Sequence, residues 1–407
     1  MWSENGIMRY MRQRLKNIYH LGNAIVANLW LGFPSRKLTV VGVTGTDGKT
    51  TTTSLIYHIL STSHRNASMV SSVGAIIGGR QYDVGFHVTT PSPWALQRFI
   101  KKAEKGFLVL ETTSHALDQN RVFGIKFDIG VLTNITHEHL DYHKTYEEYV
   151  KIKVKLLKMS RVAIVNRDDE SYKLINSKSQ FKSKKFITYG IKNSADVKPE
   201  NFLFKTDMIG EFNRYNILAA VAACRELGVA DNEIRKAILS FKPVIGRQDI
   251  VYKNGFTVMI DFAHTPNAFE VVLEPIRHMV KGRIIHVFGS AGERDRTKRP
   301  IMGKVSSGYA DVIVLTAEDP RSESVEKITE DIESGIRNYE LWNKEGKLFK
   351  ISDRREAINF AIKIARKGDL VLITGKSHEK SMNYGTGEEP WDEYGAVVKA
   401  LKLRMKN

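Results

Sequence analysis

The 407 residues predict an α/β protein of two units, each a mostly parallel sheet covered by helices. Three observations predict it. Short apolar runs alternate with helical stretches, these runs fall into two series separated near Pro243, and each run ends in a polar or Gly-rich loop. Such loops are where open α/β sheets collect their ligands. The first series is LTVVGVTG, GFLVLET, FDIGVLTNI and RVAIVN, with TTTSLIYHIL as an early helix. The second is FTVMIDFAH, RIIHVFGSAG, ADVIVLTAEDP, KLFKI and DLVLITGKSHE. The chain therefore divides into a short helical segment over 1–37, a central domain over 38–243 and a C-terminal domain over 244–407, with the cleft between the two larger units as the expected reaction site.

The N-terminal segment is basic and then apolar. Its apolar part runs for about 13 residues and carries Asn23 and Asn28, which is short for a membrane span, and no small-residue cleavage site is evident. It reads either as a helix packed on the body or as an interfacial amphipathic helix on the inner membrane face. Lys and Arg exceed Asp and Glu by 62 − 45 = 17, which favours anionic partners. No RNP-like aromatic motif, zinc spacing or base-reading basic helix accompanies that charge, so anionic nucleotide substrates are expected and nucleic acid is not. The lone cysteine, Cys224, lies in the apolar helical run AAVAACREL, which excludes a disulfide framework and suits a reducing cytoplasm.

The first strand leads into VTGTDGKTTT. Gly45 and Gly48 let the backbone turn so that its N–H groups point at phosphate oxygens, Lys49 supplies a point charge, and the Thr50 hydroxyl can reach Mg²⁺. The usual spacing of a phosphate loop fails here, because Val43 stands five residues before Gly48 and the extra glycine is Gly45. Past the next strands come Glu111, Thr113, Ser114 and His115, then Thr133, Asn134, His137, Glu138, His139, Asp141 and His143. Carboxylates and imidazoles at strand ends beside a phosphate loop suit Mg²⁺ and phosphate chemistry, and their spacing matches no closed zinc set. In the following helix Lys151, Lys155 and Lys158 share one face, whereas Lys153 falls with Tyr149, Leu156 and Leu157. An apolar-face lysine either snorkels or is a neutral amine able to take up CO₂ as a metal-binding carbamate. In the second unit Asp261 and His264 end a strand, and Arg294, Arg296, Lys298 and Arg299 crowd behind a glycine loop, a cluster suited to anionic ligands.

Taken in order, GVTGTDGKTTT, TTP at Thr89 to Pro91, ETTSHAL, TNITHEHLDYH, GEFNRYN, DFAHTPNA, VFGSAGERDRTKRP, EDPRSE and GKSHE closely resemble the Mur ligase family of ATP-dependent amide-forming enzymes. The likeness spans about residues 38 to 400 and is closest to the branch that makes UDP-N-acetylmuramoyl-tripeptide. It implies a P-loop central ATPase domain with a mostly parallel sheet and a C-terminal Rossmann-like α/β domain. It also implies an acyl-phosphate mechanism, ATP with two Mg²⁺, a muramoyl-peptide acceptor and an amino acid, in a cytoplasmic monomer of peptidoglycan-precursor synthesis.

The same resemblance implies roles residue by residue. Gly45, Thr46, Asp47, Gly48, Lys49, Thr50, Thr51 and Asn134 would cradle the ATP phosphates, with Thr50 and Glu111 near Mg²⁺. His139 and a carbamylated Lys153 would help hold a second ion. Asn216, Arg247 and Asp261 match nucleotide-contacting positions, and His264 a phosphate neighbour. Thr89, Thr90, Thr113, Ser114, Gln119 and Arg121 match contacts to the muramoyl peptide, and Arg294, Asp319, Arg321, Gly375 and Glu379 match positions gripping the amino acid.

Three departures stand out. About 40 residues precede the loop, fewer than the separate domain with which the family binds the UDP end. Members adding meso-diaminopimelate usually show Asp-Asn-Pro-Arg, where this chain has Glu318-Asp319-Pro320-Arg321. Arg321 suits a carboxylate on the incoming side chain, and Asp319 favours a cationic group nearby, so a diaminopimelate-like diamino acid is expected. Ser377 replaces a usual glycine. The alternatives are a Mur-like ligase with another carboxylate acceptor, glutamate-polymerising or folate-type, and an inactive nucleotide-binding scaffold. The retained Lys49, Glu111, His139, Lys153 and His264 weigh against the last.

Overall fold

The computed structural model describes residues 4–85, 89–136, 140–175, 181, 184–336, 342 and 346–406. His137, Glu138 and His139, together with the Asp141 side chain, lie outside what is described. The chain forms two compact units, one of residues 1–207 and 211–242 and the other of residues 208–210 and 243–407.

The first unit opens with the long helix α1 (Glu4–Leu31) and then builds an eight-stranded sheet. Strand β1 (Leu38–Thr44) is followed by α2 (Lys49–Thr62), β2 (Ala67–Ser71), β3 (Gly74–Ile77), β4 (Arg80–Tyr82), α3 (Pro93–Lys102) and β5 (Gly106–Glu111). The chain continues through α4 (Ser114–Asp118), β6 (Phe127–Leu132), α5 (Leu140–His143), α6 (Tyr146–Met159), β7 (Ser160–Asn166), α7 (Tyr172–Ile175), β8 (Lys185–Tyr189), α8 (Glu211–Glu226) and α9 (Asp231–Ser240). The order across the sheet is β4-β3-β2-β5-β1-β6-β7-β8. It is parallel from β2 to β8, while β3 and β4 turn back antiparallel at one edge. β1 sits at the centre because both its faces are apolar, and Val40, Val41 and Val43 are fully buried. Its register sets Val43 opposite Glu111 and Thr44 opposite Leu132, so three strand ends reach one side of the sheet together.

Helix α6 starts at Thr145, whose hydroxyl accepts the Glu148 N–H, and buries Tyr149, Val150, Lys153, Val154, Leu156 and Leu157. Tyr149, Val150, Val154 and Leu157 pack with Leu132, Ala163 and Val165 of the sheet. Cys224 is a fully buried core residue of α8, as its apolar run predicts.

The second unit holds a six-stranded sheet. Its elements are β9 (Asp249–Asn254), β10 (Phe256–Asp261), α10 (Pro266–Met279), β11 (Ile284–Phe288), α11 (Lys298–Tyr309), β12 (Val312–Leu315), α12 (Val325–Glu333) and β13 (Leu348–Lys350). They are followed by α13 (Arg354–Ile364), β14 (Leu370–Thr374), the small hairpin β15 (Ser381–Asn383) and β16 (Glu388–Pro390), and α14 (Glu393–Lys406). The order is β13-β12-β11-β14-β10-β9, parallel except for β9, which pairs antiparallel with β10. Two apolar clusters flank this sheet, one with Ala357, Ile358, Ala361 and Ile362 of α13 and one with Phe269, Leu273 and Ile276 of α10.

Candidate active site

The loop between β1 and α2 is held open by close packing of its own backbone. A Cβ on Gly45 would lie 1.7 Å from Thr133 Oγ1, and one on Gly48 (φ +78°) would lie 2.1 Å from Asn216 Oδ1. Only glycine fits either position. The loop is then pinned from the end of β6. Thr46 N–H donates to Asn134 O at 2.8 Å, Asp47 N–H donates to Asn134 Oδ1 at 2.9 Å, and Thr133 Oγ1 donates to Asp47 O at 2.6 Å. Gly48 caps α2 without a side chain, which leaves the first N–H groups of the helix to face an anion. Lys49 Nζ donates to Thr46 O at 2.6 Å, so its charge lies over the loop.

Glu111 joins this loop to its neighbours. Its carboxylate is 1% exposed; Oε1 accepts from Thr50 Oγ1 at 3.0 Å and Oε2 accepts from Ser72 N–H at 2.9 Å. Its backbone oxygen accepts from Thr90 Oγ1 at 3.1 Å, and Thr90 Oγ1 in turn accepts from Thr113 N–H at 3.1 Å. Arg121 extends the row: Nη1 donates to Thr90 O at 3.3 Å and Nε donates to Gln119 Oε1 at 2.9 Å. Ser114 pairs with His143 Nε2 at 3.0 Å, and Thr89 is half-buried beside Thr90. Ser72 has no sequence signal, since it sits in an ordinary turn after β2.

Lys153 is buried. Its Nζ donates to Gly45 O at 2.6 Å and lies 4.4 Å from the Tyr149 ring centroid, which places the amine directly behind the phosphate loop. The oxygens gathered at Thr50, Ser72 and Glu111 suit a hard cation such as Mg²⁺. Among the described residues no group of three or more His, Cys, Asp or Glu is placed to hold a metal. Thr50 and Glu111 would hold an ion here, and it would supply positive charge beside the phosphate loop. His139, the remaining expected ligand, lies outside the described residues.

In the second unit the Arg247 guanidinium stacks over the Phe262 ring at 4.5 Å. Asp261 is buried and accepts from Gln248 N–H and Ala263 N–H, each at 2.7 Å. Burial pushes its carboxyl up, while Arg247 and these backbone donors pull it down. His264 follows, with Nδ1 at 2.9 Å from Phe262 O, and Lys298 Nζ donates to His264 O at 2.8 Å.

The basic cluster after β11 divides. Arg299 is fully buried and bound to Glu323 at 3.0 Å and Asp331 at 2.8 Å, and Arg296 reaches Glu323 at 2.9 Å. Arg299 belongs to a buried ion network, which corrects its reading as an anion-ligand group, whereas the Arg296 side chain stays 55% exposed beside Glu323. Arg294 is exposed on the same loop, and that loop is tied to the next motif by Gly292 N–H donating to Asp319 O at 2.9 Å.

Asp319 and Arg321 both adopt positive φ (45° and 55°), so the EDPR run turns sharply. Lys376 Nζ sits 2.9 Å from both carboxylate oxygens of Asp319 and 2.8 Å from Glu379 Oε2. The cation that Asp319 favours is thus present in the chain itself. The GKSHE motif contained Lys376, yet its pairing across 57 residues left no local sign. A Cβ on Gly375 would lie 2.2 Å from Glu318 Oε2, and burial raises the Glu318 carboxyl to about 7. Ser377 keeps the left-handed φ of 51° that a glycine would hold more easily, and its hydroxyl donates to Gly246 O at 3.0 Å.

Comparison with known proteins follows the same two units. A family described as "Mur ligase middle domain" matches residues 43–224, and one described as "Mur ligase, glutamate ligase domain" matches residues 246–377. The chain is 37% identical to the UDP-N-acetylmuramoyl-L-alanyl-D-glutamate–2,6-diaminopimelate ligase of Geobacillus thermodenitrificans, over 94% of this chain and 82% of that protein. It is 39% identical to the ligase of the same name from Aquifex aeolicus, over 92% of this chain and 80% of that protein. A solved structure of a ligase of that name aligns with TM-score 0.59 at 28% identity, covering 90% of this chain and 79% of the other. E. coli FolC in complex with ADP shares the fold, with TM-score 0.70 at 19% identity over 95% of each chain.

Proposed function

The chain belongs to the Mur ligase family of ATP-dependent, ADP-forming amide ligases, and from that premise we propose that it joins a diamino acid, 2,6-diaminopimelate, to a UDP-N-acetylmuramoyl-dipeptide in peptidoglycan-precursor synthesis. The observation that carries the reading is the double role of Glu111. Its side chain meets the phosphate loop at Thr50, and its backbone meets the proposed acceptor contacts at Thr90. The γ-phosphate and the acceptor carboxylate would therefore be received on either side of one residue.

In this reading the N–H groups from Gly48 to Thr51 and the Lys49 ammonium bind the ATP phosphates, with Gly45, Thr46 and Asp47 forming the wall of the cradle and Asn134 holding it in shape through the Thr46 and Asp47 N–H groups. Asn216, Arg247, Asp261 and His264 receive the rest of the nucleotide. Thr50 and Glu111 would hold one Mg²⁺, and His139 with a carbamylated Lys153 a second. Bound there, the ions would neutralise phosphate charge as two anions approach. The carbamate forms when Lys153 Nζ adds to CO₂ and releases a proton. Thr89, Thr90, Thr113, Ser114, Gln119 and Arg121 orient the acceptor. Its carboxylate oxygen attacks the γ-phosphorus and ADP leaves. The free amine then attacks the acyl carbon, loses a proton and expels phosphate. Arg294, Asp319, Arg321, Gly375 and Glu379 hold the amino acid, with Arg321 for the side-chain carboxylate. The protein works as a monomer in the cytoplasm, where its first 33 residues can touch a membrane surface.

The test supplies ATP, Mg²⁺, UDP-muramoyl-dipeptide and a panel of amino acids, and follows phosphate release and product mass. Release that requires the muramoyl acceptor and diaminopimelate is the expected outcome. ADP formation with a folyl or poly-glutamyl acceptor instead would transfer the chain to the folate-type reading.

A further inference from the structure

Helix α1 is turned inside out relative to a globular helix. Its polar residues face the body: Gln13 Nε2 donates to Tyr142 OH at 2.6 Å, Asn17 Nδ2 to Asp118 Oδ2 at 3.2 Å, and Asn28 Nδ2 to Phe123 O at 2.9 Å. Asn23 Oδ1 accepts from Trp94 Nε1 at 3.1 Å. Its large apolar residues face outward, with Leu15 65%, Ile18 66%, Tyr19 68%, Val26 51%, Leu29 63% and Trp30 79% exposed. They recur at helical spacing and form one continuous stripe. A patch of this kind on a soluble chain marks an interaction surface.

Charge decides what the stripe meets. Arg14 and Lys16 are exposed along its two edges, and Arg36 and Lys37 are exposed just past the helix. The helix carries a single acid, Glu4, in a chain of net charge +17. A single convex helix with an apolar face and cationic edges has the form of an interfacial helix, and no described helix is long and apolar enough to cross a bilayer. We propose that α1 docks the protein on an anionic lipid bilayer, with the stripe in the acyl boundary and the cations at the headgroups. Through Gln13, Asn17, Tyr142 and Asp118 the docked helix would stand next to Gln119 and Arg121, so the acceptor contacts would lie close to the membrane face.

Sedimentation of the full chain with phosphatidylcholine vesicles, and with vesicles of about 3:1 phosphatidylcholine to phosphatidylglycerol, tests this. We expect at least about tenfold more binding to the anionic vesicles, weakened in about 0.5 M salt. Ile18→Gln with Leu29→Gln and Trp30→Gln should lower that binding by about tenfold, leaving ATP-dependent ligation unchanged. Should that variant fold poorly, Arg14→Glu with Lys16→Glu should lower anionic binding by a similar factor. Absence of binding to the anionic vesicles, or binding by both variants that equals that of the unsubstituted chain, overturns the proposal. So does a dimer in sedimentation velocity that the apolar-stripe variant dissociates, since that gives the face to a second copy of the chain.

Discussion

Lys153 and Glu318 are two buried titratable groups whose surroundings make different demands. Lys153 points its amine at the Gly45 carbonyl within an apolar helix face, directly behind the loop that would hold the γ-phosphate. Lys153→Ala should abolish ligation, and short carboxylates such as formate or acetate should restore part of it by standing in for the carbamate; full activity in the variant without additive would remove that role. Glu318 tests burial. Below about pH 4.5 both folded and unfolded chains hold its proton; between 4.5 and about 7 only the folded chain does. Stability should therefore fall as pH rises through that window, by on the order of 3 kcal/mol, and level off above it. Glu318→Gln should flatten this slope in thermal melts between about pH 5 and 7. An unchanged slope would show that other groups set it.

The phosphate loop shows how an element is specified by its neighbours. Gly48→Ala should drive a methyl into Asn216 at a backbone angle that favours glycine, so ATP affinity measured by titration calorimetry should fall at least about tenfold with little loss of fold. In the second unit, α13 is fastened to the start of α14 by a fully buried pair, Arg354 to Glu393 at 2.6 Å, and Arg354 also donates to Thr374 O and Ala317 O. Arg354→Met should cost about 3–5 kcal/mol in denaturant unfolding of that unit, because Glu393 would be left charged and buried. The parallel strands were legible because each is a short continuous apolar run ending in polar loop residues, as in VVGVTG and VLITGK. The antiparallel edge β3-β4 was not, since GAIIGGRQY is brief, glycine-rich and without clear alternation. The loop, Glu111 and Lys153 were visible from local pattern and resemblance. The pairs Asp319–Lys376 and Arg299–Asp331 were not, because contacts across 57 and 32 residues leave no periodic trace. For α1 both the packed and the interfacial readings were open; the structure puts its asparagines against the body and its apolar stripe outside.

At the scale of the molecule, two α/β units each bring a set of polar residues to their strand ends, one suited to phosphate and acceptor and one to nucleotide and amino acid. The excess of 17 positive charges suits the two strongly anionic substrates proposed, ATP and a UDP-muramoyl peptide. The central claim is that the chain activates an acceptor carboxylate as an acyl phosphate before forming the amide. Ligation run with UDP-muramoyl-dipeptide labelled with ¹⁸O in its terminal carboxylate tests it most directly. One labelled oxygen should appear in each phosphate released, alongside a product heavier by one diaminopimelate residue. Amide formed with unlabelled phosphate, or phosphate released without the muramoyl acceptor being consumed, would contradict the account.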